Sequence, residues 1–122
     1  MAEKLILGIT MGDPASIGPE ITAKALSDPA VYKRCKPLVV GDAAVMEEAL
    51  KITGLSGKLK IHKIGDVSEA LYEYGSIDVY DMGMVDMKEL KRGEVSAMAG
   101  NAAFQYVKKV IELAMDKQVD AT

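Results

Sequence analysis

The chain has 122 residues, of which 49% are hydrophobic and 27% are charged, and its net charge at neutral pH is −3. This length suits one domain with a substantial core. The 15 basic and 18 acidic residues are mixed along the sequence, and only Arg34 and Arg92 are arginine. A chain with no basic stripe and no Trp does not have the composition of a nucleic-acid-binding surface.

Hydrophobic segments and the cysteine count indicate the compartment of the protein and the redox state of its thiol. No apolar run approaches membrane-spanning length, and Met1–Lys4 is not followed by the apolar segment of a signal peptide. We therefore expect a cytoplasmic protein with no membrane partner. The single cysteine, Cys35, excludes an internal disulfide, and with no histidine near it in sequence it is expected to be a bystander thiol.

Apolar runs alternate with segments of helical periodicity along the chain. Strands are predicted at residues 4–10, 37–40, 58–64 and 77–80, with a further strand beginning at residue 119. Helical segments are predicted at residues 18–27, 29–34, 42–51, 66–71 and 100–117. Alternating strands and helices predict a mostly parallel sheet with helices on its faces, a three-layer α/β/α fold.

Two helices carry more specific predictions. Asp42 directly precedes an apolar-periodic segment and is a plausible N-cap of the helix that ends near Lys51. The last helix shows a stripe at helical spacing that we expect to be buried, formed by Ala103, Val107, Val110, Ile111 and Ala114.

The segment Met11–Glu20, with the sequence MGDPASIGPE, joins the first strand to the first helix. Gly18 can approach a ligand closely or adopt a positive φ, and Pro19 suits the first position of a helix. The free N–H groups of that first turn and the helix dipole favour an anion in front of the helix. Asp13 and Glu20 place carboxylates at the same turn. A carboxylate beside an anion is unfavourable unless it binds a hydroxyl, an ammonium, a metal or a backbone N–H.

A purely structural interpretation of this loop stands beside the functional one. Turns rich in Gly and Pro occur between strands and helices in every α/β fold. Asp13 can form an Asx-turn with the following backbone, and Glu20 can be a first-turn residue favoured by the helix dipole. Without further information the structural interpretation is favoured, because one glycine-rich turn is weak evidence for a site.

The segment Gly12–Glu20 resembles the N-terminal signature of the 4-hydroxythreonine-4-phosphate dehydrogenase family, in the branch that acts on threonate or erythronate 4-phosphate. Ser16 stands where the family usually has glycine. A shorter Gly-Asp-Gly-Ile-Gly-Pro-Glu version opens the related isocitrate and isopropylmalate dehydrogenases. The similarity continues in order, since Lys36–Asp42 resembles the family's second strand and turn and Gly93–Gly100 resembles the lead into its catalytic half.

This resemblance implies an isocitrate/isopropylmalate dehydrogenase-like fold of which residues 1–122 are an N-terminal portion. About residues 1–95 would be a segment of the first α/β domain, and about 96–122 the start of the second. It also implies NAD-dependent oxidation of a 4-phosphorylated hydroxy acid, assisted by a divalent metal (Zn, Mg, Mn or Co) and followed by decarboxylation where the product is a β-keto acid. The setting would be pyridoxal phosphate biosynthesis, and the assembly a homodimer with its active site near the interface.

The resemblance also limits which residues can be assigned to a site. The loop residues that match it are expected to form a cofactor-side or substrate-side wall of the cleft, and these are Gly12, Asp13, Ser16, Gly18 and Glu20. No catalytic residue and no metal ligand is identified in the chain. In the family, three histidines carry the metal, and they are expected beyond Thr122 together with most contacts to the substrate phosphate and carboxylate.

The remaining candidates have ordinary structural explanations. His62 is the only histidine and lies in an alternating strand between lysines, which is more typical of a surface residue than of a ligand. Asp81, Asp86 and Glu89 form a loose acidic group that is more typical of a solvated surface than of a metal site. The eight methionines are expected to fill core gaps or an oligomer interface.

Two other functions remain open alongside the dehydrogenase. A phosphate acyltransferase has a similar general architecture but does not need the Gly-Asp-Pro turn. A non-catalytic binding or assembly module would keep the sheet and the loop without a histidine cluster. Continuation of the reading frame past Thr122 into a Gly-His-Thr segment would favour the dehydrogenase.

Overall fold

One sheet of four parallel strands, in the order β1-β2-β4-β3, organises the computed structural model, which describes residues 4–122. The strands are β1 (Ile6–Thr10), β2 (Lys36–Gly41), β3 (Lys60–Ile64) and β4 (Ser76–Asp81). The helices are α1 (Gly18–Ala25), α2 (Pro29–Arg34), α3 (Ala43–Thr53) and α4 (Ala97–Met115), with a 3-10 turn at Val67–Glu69. The α/β prediction is therefore confirmed. The interpretation of Met1–Lys4 falls largely outside the described residues.

Helices cover both faces of the sheet. A Cβ added at Gly8 in β1 would lie 2.6 Å from Val110 of α4, so this glycine faces α4 and lets the helix approach the strand. Leu38 pairs with Gly8 across the sheet and shares that face, because paired residues of parallel strands point the same way. The helices α1 and α3 pack against each other, and right-handed crossovers place them on the opposite face.

The core is centred on the two middle strands. Their buried residues run almost continuously, as expected for strands covered on both faces, and are Leu38, Val39, Val40, Ile77 and Val79. From α1 and α3 the core receives Ala23, Val45, Met46, Ala49 and Leu50. The hydrophobic runs recognised in the sequence therefore form the interior.

The buried face of α4 was predicted incorrectly in part. Val107 and Ile111 are 47% and 53% exposed, whereas the buried residues are Ala99, Ala102, Tyr106, Val110 and Leu113. This helix has apolar side chains on two faces, and periodicity alone does not identify the one that meets the sheet. Tyr106 points inward because its hydroxyl donates a 2.7 Å hydrogen bond to buried Asp42.

The last described residues return to the sheet beside β1. Gly8 N donates to the carbonyl of Ala121 at 2.8 Å, and Asp120 N donates to the carbonyl of Ile6 at 2.8 Å. A parallel bridge joins Leu7 to Ala121. The predicted strand start at residue 119 is thus observed as a single bridge, while the proposed domain boundary near residue 95 stays a prediction.

Candidate functional site

The loop between β1 and α1, residues 11–17, folds back on itself at the carboxyl end of the sheet. A Cβ added at Gly18 would lie 2.5 Å from the carbonyl oxygen of Met11, so only glycine fits there without backbone movement. Gly12 has a φ of 83°. Both glycines are therefore required by the packing of the loop itself. In open parallel sheets, the carboxyl ends of the strands are also where ligands usually bind.

Asp13 binds the backbone of its own turn. Its Oδ1 accepts a hydrogen bond from Ala15 N at 2.8 Å, and its carbonyl accepts one from Ser16 N at 3.0 Å. This is the Asx-turn of the structural interpretation. The backbone N–H groups of Ala15 and Ser16 are therefore used inside the loop.

Glu20 is neutralised by an arginine that the sequence analysis did not connect with it. Arg92 Nη1 lies 2.9 Å from Glu20 Oε1, and Arg92 Nε lies 2.8 Å from Glu48 Oε1. The two carboxylates belong to α1 and α3, whereas Arg92 lies in the long loop, residues 82–96, that follows β4. The conflict between a carboxylate and an anion site at this turn is resolved by these contacts and by the Asx-turn.

A cleft of about 180 Å³ lies between the first loop and the long loop, and we call it the loop cleft. Gly93 N donates a 2.7 Å hydrogen bond to the carbonyl of Ala15, which joins the two loops directly. The lining residues are Asp13, Ala15, Ser16, Gly93, Glu94 and Val95. The predicted loop residues Asp13 and Ser16 thus line one cleft, whereas Gly12, Gly18 and Glu20 support it from outside.

The charge of the loop cleft selects the chemistry that it can bind. Asp13 and Glu94 contribute carboxylates, Ser16 contributes a hydroxyl, and no lining residue is basic. A phosphate in contact with these groups would be repelled by both carboxylates. Hydroxyl or ammonium groups, which donate hydrogen bonds, suit such a lining better.

Asp42 has a different role from the one predicted. It occupies the N-cap position of α3, but its side chain makes no cap bond. Its Oδ1 accepts from Tyr106 Oη at 2.7 Å and its Oδ2 from Val85 N at 2.8 Å. Asp81 supplies the cap instead, since its Oδ1 accepts from Ala43 N at 2.9 Å. Asp42 thereby ties the long loop and α4 to the end of β2.

Burial and the Asp42 carboxylate both act on the pKa of Tyr106. Burial, followed by the hydrogen bond to Asp42, raises the pKa of the Tyr106 phenol, with smaller contributions from Asp81 and Asp13. The buried phenol beside the Asp42 carboxylate therefore stays protonated and acts as a hydrogen-bond donor.

His62 has a partner that the sequence did not reveal. Its Nδ1 lies 2.7 Å from Oδ1 of Asp78, which is buried in β4 and pairs with His62 in the parallel register. Asp78 also accepts hydrogen bonds from the backbone N–H groups of Leu71 and Tyr72. The signal that could have exposed this contact is the charged residue inside the otherwise apolar run Ile77–Tyr80. The pair lies on β3 and β4, away from the β1 edge of the sheet. Through Asp78 it holds the segment 65–75, which joins these two strands.

The acidic group of the long loop does not converge. Asp81 caps α3 and lies 3.6 Å from Lys63 Nζ, and Asp86 accepts from the backbone N–H of Lys88 in its own turn. Within residues 4–122, no three His, Cys, Asp or Glu side chains lie close enough to hold a metal ion. No helix in the same range is long and apolar enough to span a bilayer.

The similarity to known proteins covers most of the chain. Residues 33–122 match the family model described as "Pyridoxal phosphate biosynthetic protein PdxA". The chain belongs to this family. A relative from Symbiobacterium thermophilum, named "Putative D-threonate 4-phosphate dehydrogenase", is 49% identical over 121 residues, which are 99% of this chain and 36% of the relative.

Solved structures agree with this assignment. A 4-hydroxythreonine-4-phosphate dehydrogenase from Burkholderia phymatum superposes with a TM-score of 0.91 at 45% identity, over 97% of this chain and 35% of the other. The corresponding enzyme from Klebsiella pneumoniae gives a TM-score of 0.84 at 33% identity, over 97% and 35%. The chain therefore spans about a third of the length of these relatives and has the fold of that part.

Proposed function

We propose that the protein carrying this chain is an NAD-dependent dehydrogenase of a 4-phosphorylated hydroxy acid, with D-threonate 4-phosphate as the favoured substrate. The observation that carries the proposal is the 49% identity, over 121 residues, to the Symbiobacterium relative named for that reaction. Erythronate 4-phosphate and 4-hydroxythreonine 4-phosphate are the alternative substrates, the latter supported by the names of the structural neighbours.

In this proposal the loop cleft is one wall of the active site. Asp13 and Ser16 line it and can bind hydroxyl groups of the cofactor or substrate. Neither residue is proposed to transfer the proton of the reaction. The acidic lining argues for placing the phosphate groups of both ligands elsewhere in the protein. Ser16, in place of the glycine usual in the family, adds a hydroxyl at this wall.

The proposed metal does not fit the described residues, because within 4–122 they bring no ligand group together. In the full reaction a divalent metal would lower the pKa of the substrate hydroxyl and stabilise the alkoxide. Its ligands would have to come at least in part from outside these residues.

We also propose a cytoplasmic homodimer. The observation that supports association is the apolar face of α4 that the described residues leave exposed, which consists of Phe104, Val107, Ile111 and Met115. Such a face is usually covered by another protein surface.

The test of the proposed function is an NAD-reduction assay with the native full-length protein. NADH formation should require a 4-phosphorylated four-carbon acid and should stop when a chelator removes divalent metal. Unphosphorylated threonate is the matched control, and its turnover should be far slower because the phosphate supplies remote binding energy. No NADH with any of the three phosphorylated substrates, in the presence of Zn²⁺, Mg²⁺, Mn²⁺ or Co²⁺, would contradict the assignment.

A further inference from the structure

Arg92 connects three separate parts of the chain near the loop cleft. It lies in the long loop and bonds to Glu20 of α1 and Glu48 of α3, which are 72 and 44 residues away in sequence. The two bonds use different nitrogens of one guanidinium, Nη1 and Nε. This fork geometry is specific to arginine, since a lysine ammonium is a single point charge.

The residue next to Arg92 makes the direct link between the two cleft loops. Gly93 N donates to the carbonyl of Ala15 at 2.7 Å, and Gly93 has a φ of 81°. Gly93, Glu94 and Val95 then line the loop cleft. The ion pairs of Arg92 therefore lie immediately before this wall in the sequence.

Few other contacts would replace the ion pairs of Arg92 if these were lost. Arg92 and Glu20 side chains are 24% and 19% exposed, which is buried enough to weaken solvent screening of their charges. Glu20 Oε2 and Arg92 Nη2 are buried and find no hydrogen-bond partner among the described atoms. Removing the guanidinium would leave Glu20 with neither of its carboxylate oxygens paired within this cluster, close to a second carboxylate.

We propose that Arg92 is a positioning residue of the active site, which holds the Gly93–Val95 wall against the Asp13–Ser16 wall by bridging Glu20 and Glu48. The proposal rests on the proposed function for its effect on catalysis. Its structural part, the fixing of two loops by one side chain, is independent of the substrate.

The experiment compares the Arg92→Ala and Arg92→Lys variants of the full-length protein with the wild-type protein. For Arg92→Ala we expect kcat/KM to fall about 10- to 100-fold, since small displacements of positioning groups have effects of this size. Most of the loss should appear in KM for NAD or the phosphorylated acid, because the cleft walls bind a ligand without taking part in the chemistry. Arg92→Lys should recover only part of the loss.

Amide hydrogen exchange supplies the second readout. In Arg92→Ala, peptides covering residues 11–17 and 90–96 should exchange faster, while β2 should exchange at its original rate. Arg34→Ala is the matched control, because Arg34 is exposed at the end of α2 and lies outside the loop cleft. It should leave both kcat/KM and exchange unchanged.

Three results for Arg92→Ala would each overturn the proposal. The first is unchanged exchange in both loops, and the second is unchanged kcat/KM. The third is faster exchange in β2 equal to that in the loops, which would show a general loss of stability. If the wild-type protein reduces no NAD with any substrate, the proposed function is wrong. The exchange pattern alone then decides whether Arg92 positions the two loops.

Discussion

At the scale of single residues, the carboxylates near the first loop differ in what they bind. Asp13 closes its own turn, Glu20 pairs with Arg92, and Asp42 receives a tyrosine hydroxyl. Each carboxylate therefore has a structural partner. Measurements of both stability and activity are needed to separate a role in ligand binding from this structural role.

Asp13 offers such a separation. Asp13→Ala removes the bond to Ala15 N and should lower the free energy of unfolding by about 1 kcal/mol. If the residue also binds a ligand hydroxyl, turnover in the full-length enzyme should fall at least about tenfold, much more than the stability loss accounts for. Asp13→Asn is the control, because it keeps an oxygen acceptor for the turn. Undiminished activity in Asp13→Ala, together with unchanged melting, would contradict a role for Asp13 in the cleft.

Tyr32 provides a pH dependence of stability. Burial, followed by the charge of Asp78, raises the pKa of its phenol from 10.0 to about 12. In the unfolded chain the phenol would lose its proton near pH 10, whereas in the folded chain it would keep it until about pH 12. The stability linked to Tyr32 is therefore fully present below pH 10 and is lost as the pH rises from 10 to 12. In urea denaturation across this window, the loss of stability in the unsubstituted chain should exceed the loss in Tyr32→Phe by on the order of 2 kcal/mol. An equally steep loss in Tyr32→Phe would refute this assignment.

At the scale of secondary structure, local composition placed most helices and strands, but α4 begins at Ala97 instead of residue 100 and the predicted helical segment 66–71 contains only a 3-10 turn. The apolar run Pro37–Val40 lies in a buried strand as predicted, and Asp28-Pro29 correctly separated two helices. The sequence did not reveal the bridge from Arg92 to Glu20, because 72 residues separate them and their proximity depends on how the long loop crosses two helices. The sequence also did not reveal the pairing of His62 with Asp78, because that contact depends on the register of β3 with β4.

Helix α4 contains a glycine that is not required by its packing. Gly100 lies within α4 and is exposed. A Cβ added at this position would have no neighbouring atom within 4 Å. Gly100→Ala should therefore stabilise the protein by about 0.5 to 1 kcal/mol, because alanine loses less backbone freedom on folding. Thermal and urea denaturation measure the change. Gly18→Ala is the contrasting variant and should destabilise, since its Cβ would meet Met11 O at 2.5 Å. A destabilised Gly100→Ala protein would show that another surface contacts this turn of α4.

At the scale of the whole molecule, the order β1-β2-β4-β3 could not be read from the alternation of strands and helices. Alternation indicates parallel strands and right-handed crossovers, but it does not say which strands are neighbours. The observed order makes β1, β2 and β4 neighbours, so their carboxyl ends lie side by side at one edge of the sheet. Asp13 and Asp42 follow β1 and β2, and Asp81 is the last residue of β4. The three carboxylates bind backbone N–H groups of the loops and of the start of α3 at that edge.

The docking of α4 on the sheet depends on one buried polar contact that can be tested. Tyr106→Phe keeps the ring in the core but removes the hydroxyl that donates to Asp42 at 2.7 Å. Asp42 would keep its bonds to Met84 N and Val85 N, so the loss should be that of one hydrogen bond to a charged group, about 1.5 to 3 kcal/mol by urea denaturation. Tyr80→Phe is the matched control, because Tyr80 also lies on the α4 side of the sheet but is only partly buried. Equal stability of the two variants would show that packing of the ring, without the hydroxyl, holds α4 on the sheet.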